Sequence, residues 1–256
     1  MLKKALLFCS TFLIGNFCVA EQTEIQKYSA IFLGPQVASV TMSIEGNSPS
    51  FHGALAGARL GYTYQKPHSL YAKAFISYAL GRLKSEDNPS RFLHDESVEG
   101  QIGYVFACHK FRLTPYVGYG FHYLIQHRES HPLFAELTFK YRDYYLPLGL
   151  QGKYSFTSQV NFGVNFSWRY DIDPSVQISG FEGIHWTLHH KDGHLVSLPL
   201  EGFFDDKQRW SFCLEPYWQQ YQIGSSKAVS STGMPLGLTT QTLTYWGGLL
   251  TAQVHF

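Results

Sequence analysis

Along most of this chain apolar side chains recur at every second position, the period of a β-strand whose alternate residues face opposite ways. The last sixteen residues show it most plainly. Counting back in twos from the carboxyl end gives Phe256, Val254, Ala252, Leu250, Gly248, Trp246 and Thr244, mostly apolar; the intervening set is His255, Gln253, Thr251, Leu249, Gly247, Tyr245 and Leu243. The run far exceeds the common strand of about five or six residues. It suits a tilted strand that crosses a bilayer and projects a little on each side. Val160 to Asp171 repeats the pattern, with Val160, Phe162, Val164, Phe166, Trp168 and Tyr170 on one face and Asn161, Gly163, Asn165, Ser167, Arg169 and Asp171 on the other.

Read this way, the chain predicts about ten strands in five hairpins. They cover Tyr28 to Ile44, Gly53 to Gln65, Ser69 to Leu83, Ser97 to Ala107, a fifth after His109-Lys110 carrying Leu113 to Tyr123, Lys140 to Phe156, Val160 to Asp171, Leu195 to Phe204, Arg209 to Gln222, and Gln241 to Phe256. Short turns alternate with long polar connections, namely Glu45 to His52, Lys84 to Glu96, Arg128 to Phe139, Asp173 to His194 and Gly224 to Gly237. That asymmetry is the signature of a transmembrane barrel. A soluble sandwich also alternates, but these strands are longer, and Tyr, Trp and Phe gather near their ends as interfacial girdles require. The expected fold is therefore all-β, a single closed antiparallel transmembrane β-barrel of residues 21–256 with five extracellular loops. Pro115, Pro147, Pro199 and Pro216 fall inside expected strands and each forfeits a ladder bond; bulges would accommodate them, and so would a different count between eight and twelve.

The amino terminus sets the compartment. Met1 to Lys4 is basic, Ala5 to Ile14 apolar, and Cys18-Val19-Ala20 is a small-residue cleavage site, so residues 1–20 read as a secretory signal peptide. A lipoprotein signal is the rival, but Phe8 and Phe17 stand where that motif needs a small residue. Cleavage removes Lys3 and Lys4 and no acid, taking the formal net charge from +1 to −1 and leaving nothing basic enough for nucleic acid. Beyond the leader no apolar run approaches the roughly 18 to 20 residues of a membrane helix, so a span must be built from strands closed into a barrel. Cys108 and Cys213 remain after processing, on strands about half a barrel apart, and a disulfide between them is not expected.

A long final strand closing on Phe256, with Val254 two residues before it, resembles the terminal strand of bacterial outer-membrane β-barrels, where the closing aromatic is the assembly signal. In size and pattern the chain resembles the small OmpA-type barrels. The resemblance implies the Gram-negative outer membrane, with outer-membrane lipid around the barrel and the Sec translocon, periplasmic chaperones and barrel-assembly machinery as partners in biogenesis. The loops would then lie on the cell surface, displayed for adhesion or for a host or envelope ligand. No cofactor is expected.

Inward parity selects Arg59, Lys73, Arg112, Lys153 and Arg169 against Glu99, Asp143, Asp171, Glu201 and Glu215. Unpaired charge is costly in a low-dielectric lumen, so ion pairs that fill and stiffen the barrel are the expected arrangement. That describes a plugged anchor. A narrow porin-like channel is the alternative, because Arg59 and Lys73 on strands two and three could oppose Glu201 and Glu215 on strands eight and nine across the lumen, although ten strands leave little room for water. The fourth long loop carries His185, His189, His190 and His194, spaced so that an ordered loop could bind zinc or copper, without a motif of fixed geometry. A solvated loop and no metal is the plainer expectation. Finally, Asp171-Ile172-Asp173 and Asp192-Gly193-His194 are similar to the paired acids and the Asp-x-His element of omptin proteases. Both flank one loop, however, whereas the omptin pairs face each other across the barrel mouth. The expectation is a non-enzymatic protein.

Overall fold

Strands this long leave every backbone N–H and C=O to be paired by a neighbour, and only a closed sheet pairs them all. The computed structural model describes residues 28–86, 89–129, 136–227 and 229–256; the expected leader lies outside them. Its strands are β1 (Ser29–Ile44), β2 (Asn47–Gln65), β3 (Leu70–Lys84), β4 (Arg91–Tyr104), β5 (Phe106–Cys108), β6 (Phe111–Arg128), β7 (Leu137–Ser155), β8 (Val160–Asp171), β9 (Ser175–Ile178), β10 (Trp186–Thr187), β11 (Asp192–Ser197), β12 (Leu200–Phe203), β13 (Trp210–Ile223) and β14 (Gln241–His255). β5 continues β4, and β12 continues β11, so the barrel wall has ten staves. The last strand closes on the first, with Ile31 opposite Val254 and Ile44 opposite Gln241. All pairs are antiparallel between sequence neighbours around the ring, as the alternation predicted.

The prolines interrupt ladders without changing the count. The β6–β7 register lapses between Val117/Leu148 and Gly120/Tyr145, where Pro147 lies, while Pro147 keeps its place opposite Arg169 on β8. Gly118 leaves room there: a Cβ on it would come within 2.9 Å of the Pro147 ring. Pro199 separates β11 from β12, so the expected single strand from Leu195 to Phe204 is two pieces. Cys108 is exposed and Cys213 buried, both as free thiols.

Three of the expected long loops are shorter, because polar stretches taken for loop are wall. β1 and β2 join through Glu45 and Gly46 alone, with Ile44 opposite Asn47 and Gly46 at φ 79°, the left-handed conformation that glycine adopts freely. β3 runs to Lys84 and β4 starts at Arg91, while β6 runs to Arg128 and β7 starts at Leu137. The fourth connection is a folded unit. β9 pairs with β7, β10 pairs with β9, and the next loop lies against them through a Leu188–Ser226 bridge.

The polarity of the two wall faces reverses partway up the barrel. Near the short turns, the outer face of β1 carries Ile31, Leu33 and Val37, exposed, and the inner face carries Ala30, Phe32, Gly34 and Gln36. Higher up, the outer residues are Ser39, Thr41 and Ser43, and the inner ones are Ala38, Val40 and Met42, all buried. Their partners agree, since Thr41 faces Thr244 and Met42 faces Leu243. β3 does the same, changing from Ile76 and Leu80 outside to Arg82 and Lys84 outside, with Leu83 buried within. Trp218 opposite Trp246, 66% exposed, marks the change of face on β13 and β14. From Val254 to Trp246 the outer face of β14 runs over nine residues, about 26 Å along the strand and about 20 Å along the membrane normal once it is tilted, close to the apolar band of a membrane barrel.

Candidate functional site

Above that change of face the lumen is filled by apolar side chains. Val40, Met42, Leu83, Leu93, Leu124 and Leu243 are fully buried and belong to one apolar cluster with Phe51, Phe139 and Tyr141. The loop unit completes it from above. Val176, Ile178 and Leu188 join the cluster, and Trp186, 2% exposed, lies within it. The Trp186 Nε1–H donates to the carbonyl of Met234 at 2.9 Å, so one loop is pinned to the next. The cap is tied further by the amides of Lys227 and His189, which donate to Thr187 and Ser225.

Beneath the plug lies a network of buried charge. Arg169 on β8 forms ion pairs with Asp143 on β7 and, at 3.2 Å, with Asp171 on its own strand. His122 on β6 sits between two carboxylates, its Nδ1 at 3.1 Å from Asp143 and its Nε2 at 3.0 Å from Asp95. The Tyr245 hydroxyl donates to Asp95 at 2.7 Å and lies 2.7 Å from that of Tyr221. The Arg169 guanidinium lies over the Tyr145 ring, 3.8 Å from its centroid. Tyr145 in turn covers Gly120 on the adjacent β6, where a Cβ would fall 2.2 Å from the ring. These charges are thus paired and roofed by rings, which is the condition for burying them at tolerable cost.

Lower still the acids find different partners. Glu99 accepts from the Tyr145 hydroxyl at 2.7 Å, and Glu215 from Ser197 at 2.6 Å. Glu201 accepts from Lys153 at 2.7 Å, Asn161 at 3.1 Å and Ser211 at 3.1 Å. Lys153 stands on β7 and Glu201 on β12, on either side of β8, so Glu201 is neutralised from its own side of the barrel. Among the described residues Arg59 and Lys73 form no ion pair with Glu201 or Glu215, although all four line one cavity. Instead Arg59 lies over Phe75 at 4.8 Å, and Lys73 over Phe75 at 5.5 Å and Phe32 at 5.6 Å. Together with Arg112 they line a cavity of about 360 Å³ at the turn end.

All ten charges selected by parity therefore face inward. Asp95, His122 and Tyr245 complete the network and were not among them. His122 had inward parity but no charge to attract notice, and Asp95 fell in a stretch read as loop.

The remaining candidates stay apart. His189, His190 and His194 are exposed, with His190 stacked on Tyr170 and His194 on Phe166. Among the described residues no three His, Cys, Asp or Glu are gathered as a metal site. Asp171 is buried in the lumen, while Asp192 and His194, opposite Tyr170 and Trp168, are on the outer face of the wall. Asp171 and the Asp192/His194 pair are thus on opposite sides of one sheet, and Asp173 is exposed beyond the end of β8. Phe256 is 59% exposed beside Tyr62, exchanges backbone hydrogen bonds with Ser29, and shares its outward face with Val254.

No family model matches the chain, and no curated protein matches it. Among solved structures it is similar to the outer membrane protease OmpT from Escherichia coli, with a TM-score of 0.53 at 11% identity, over 94% of this chain and 100% of that one. It is also similar to the translocator domain of autotransporter NalP from Neisseria meningitidis, with a TM-score of 0.47, 12% identity and coverage of 100% and 95%. The β domain of the Bordetella autotransporter BrkA gives 0.46, 12%, 90% and 100%. At such identities the likeness is one of fold, the closed all-β barrel.

Proposed function

We propose that the chain is an integral outer-membrane protein whose barrel does not conduct and serves as an anchor, holding a fixed cap at its loop end for adhesion or partner binding. The observation that supports this reading is the apolar plug, in which Trp186 and Leu188 of the cap pack with Val40, Met42, Leu83 and Leu243 of the walls. A narrow pore would need a wetted path through that cluster. The apolar belt and its aromatic ends fit outer-membrane lipid, with the cap on the cell surface and the short turns in the periplasm. Phe256, at the end of the closing strand, is the assembly signal read by the barrel-assembly machinery. The protein is not an enzyme in this reading, since Asp171 and the Asp192/His194 pair cannot converge on one substrate through the wall.

Planar-bilayer recording of the folded full chain tests the proposal. Membranes that incorporate it should show no resolved single-channel steps; discrete, reproducible conductance would overturn the non-conducting reading in favour of the channel.

A further inference from the structure

The cavity at the turn end is open where the plug is closed. His109, Lys110, Thr157, Ser158 and Gln208, all turn residues, form its rim. Its lining is unbalanced, with Arg59, Lys73, Lys110, Arg112 and Lys153 against Glu201 and Glu215. Lys153 already holds Glu201, which leaves Glu215, still charged while it accepts from Ser197, as the one acid facing the other cations of the lining. Arg59 and Lys73 have no carboxylate within ion-pair distance among the described residues, and the Arg59 Nε is buried without a hydrogen-bond partner. Both cations face the same Phe75 ring.

Ring faces return only about 0.5–2 kcal/mol to a cation, while withdrawing one from water costs several kcal/mol even after relaxation. Arg59 and Lys73 are half-buried at an open cavity, so only part of that cost falls on them, and two like charges sharing one ring leave an excess of positive charge that the two acids do not match in number. An anion would remove it. A guanidinium offers planar paired donors and an ammonium a point charge, a combination suited to oxyanions. The cavity volume is near the lower end for small-ligand sites.

We propose that the turn-end cavity is a binding site for a small phosphate-type polyanion, held between the Arg59 guanidinium and the Lys73 ammonium. The site does not depend on whether the barrel conducts, because its mouth is on the side away from the plug.

Calorimetric titration of pyrophosphate into the detergent-folded full chain at fixed ionic strength is the test. The protein should show one saturable binding event, weakened at least ~10-fold when Arg59→Gln and Lys73→Gln are combined, as loss of charge-assisted hydrogen bonds predicts. Arg82→Gln, on the outer surface, should leave affinity unchanged. Should the double variant not reach the heat-modifiable folded form, each single variant should weaken binding by itself. Absence of saturable heat in the unmodified protein, or equal affinity in the variants that lack these cations, would overturn the assignment.

Discussion

Leu250 and Thr244 stand on the same face of the same strand, and so do Thr251 and Leu243 on the other. Near the turn end Leu250 faces out, 48% exposed, and Thr251 is buried in the lumen; two residues beyond Trp246, Thr244 faces out, and next to it Leu243 is fully buried. The backbone does not distinguish the two regions, since pairing with β13 continues from Trp210/Val254 to Ile223/Gln241 without a lapse. What changes is the medium. In the lower half the surroundings are hydrocarbon, so grease faces out and polar groups satisfy one another within. In the upper half the surroundings are water, so the same wall obeys the rule of a soluble barrel, with a dry centre and a polar exterior. The reversal places the membrane boundary at Trp218 and Trp246.

The comparison can be broken most severely at its dry end. Leu243→Asp puts an unpaired carboxylate in the plug, and a cost of about 3–5 kcal/mol is expected from removing compensation around a buried charge. Urea unfolding followed by tryptophan fluorescence should show the midpoint fall accordingly, and an unchanged midpoint would mean that the plug admits water. A smaller effect sharpens the contrast between outer faces. Leu250→Lys, within the apolar belt, should destabilise by about 2–4 kcal/mol, as cations on a lipid-facing midplane do. Thr244→Lys, on the same face above the boundary, should stay within about 0.5 kcal/mol, as surface substitutions do. Equal costs at the two positions would remove the reversal.

Much of the barrel was legible because a period of two is written residue by residue: the final strand, the seventh stretch from Val160 to Asp171 and the inward parity of Arg169, Asp143 and Glu201 all follow from it. What misled was composition. Asn47 to His52 and Arg91 to Glu96 are mostly polar, broken by Phe51 and by Phe92-Leu93, and polar stretches beside Gly or Pro read as loops. They are wall that has risen out of the membrane, where the outward positions must be polar. Asp95 was lost from the predicted network for that reason alone. The same reversal is visible in the sequence once it is looked for, since Ile31, Leu33 and Val37 share one parity and Val40 and Met42 the other, a slip usually attributed to a bulge. The cap was beyond reach, because the burial of Trp186 depends on Met234 and on wall residues from β1, β3 and β14 as well as on its near neighbours Val176 and Phe181. The charge imbalance of the turn-end cavity was equally hidden, as it depends on Lys153 engaging Glu201.

Site-directed spin labelling along β1 addresses the reversal most directly. With single labels at Leu33, Val37, Thr41 and Ser43 in reconstituted bilayers, the account predicts collisions with oxygen dominating at 33 and 37 and collisions with a water-soluble nickel chelate dominating at 41 and 43. Oxygen-dominated accessibility at all four positions would contradict it.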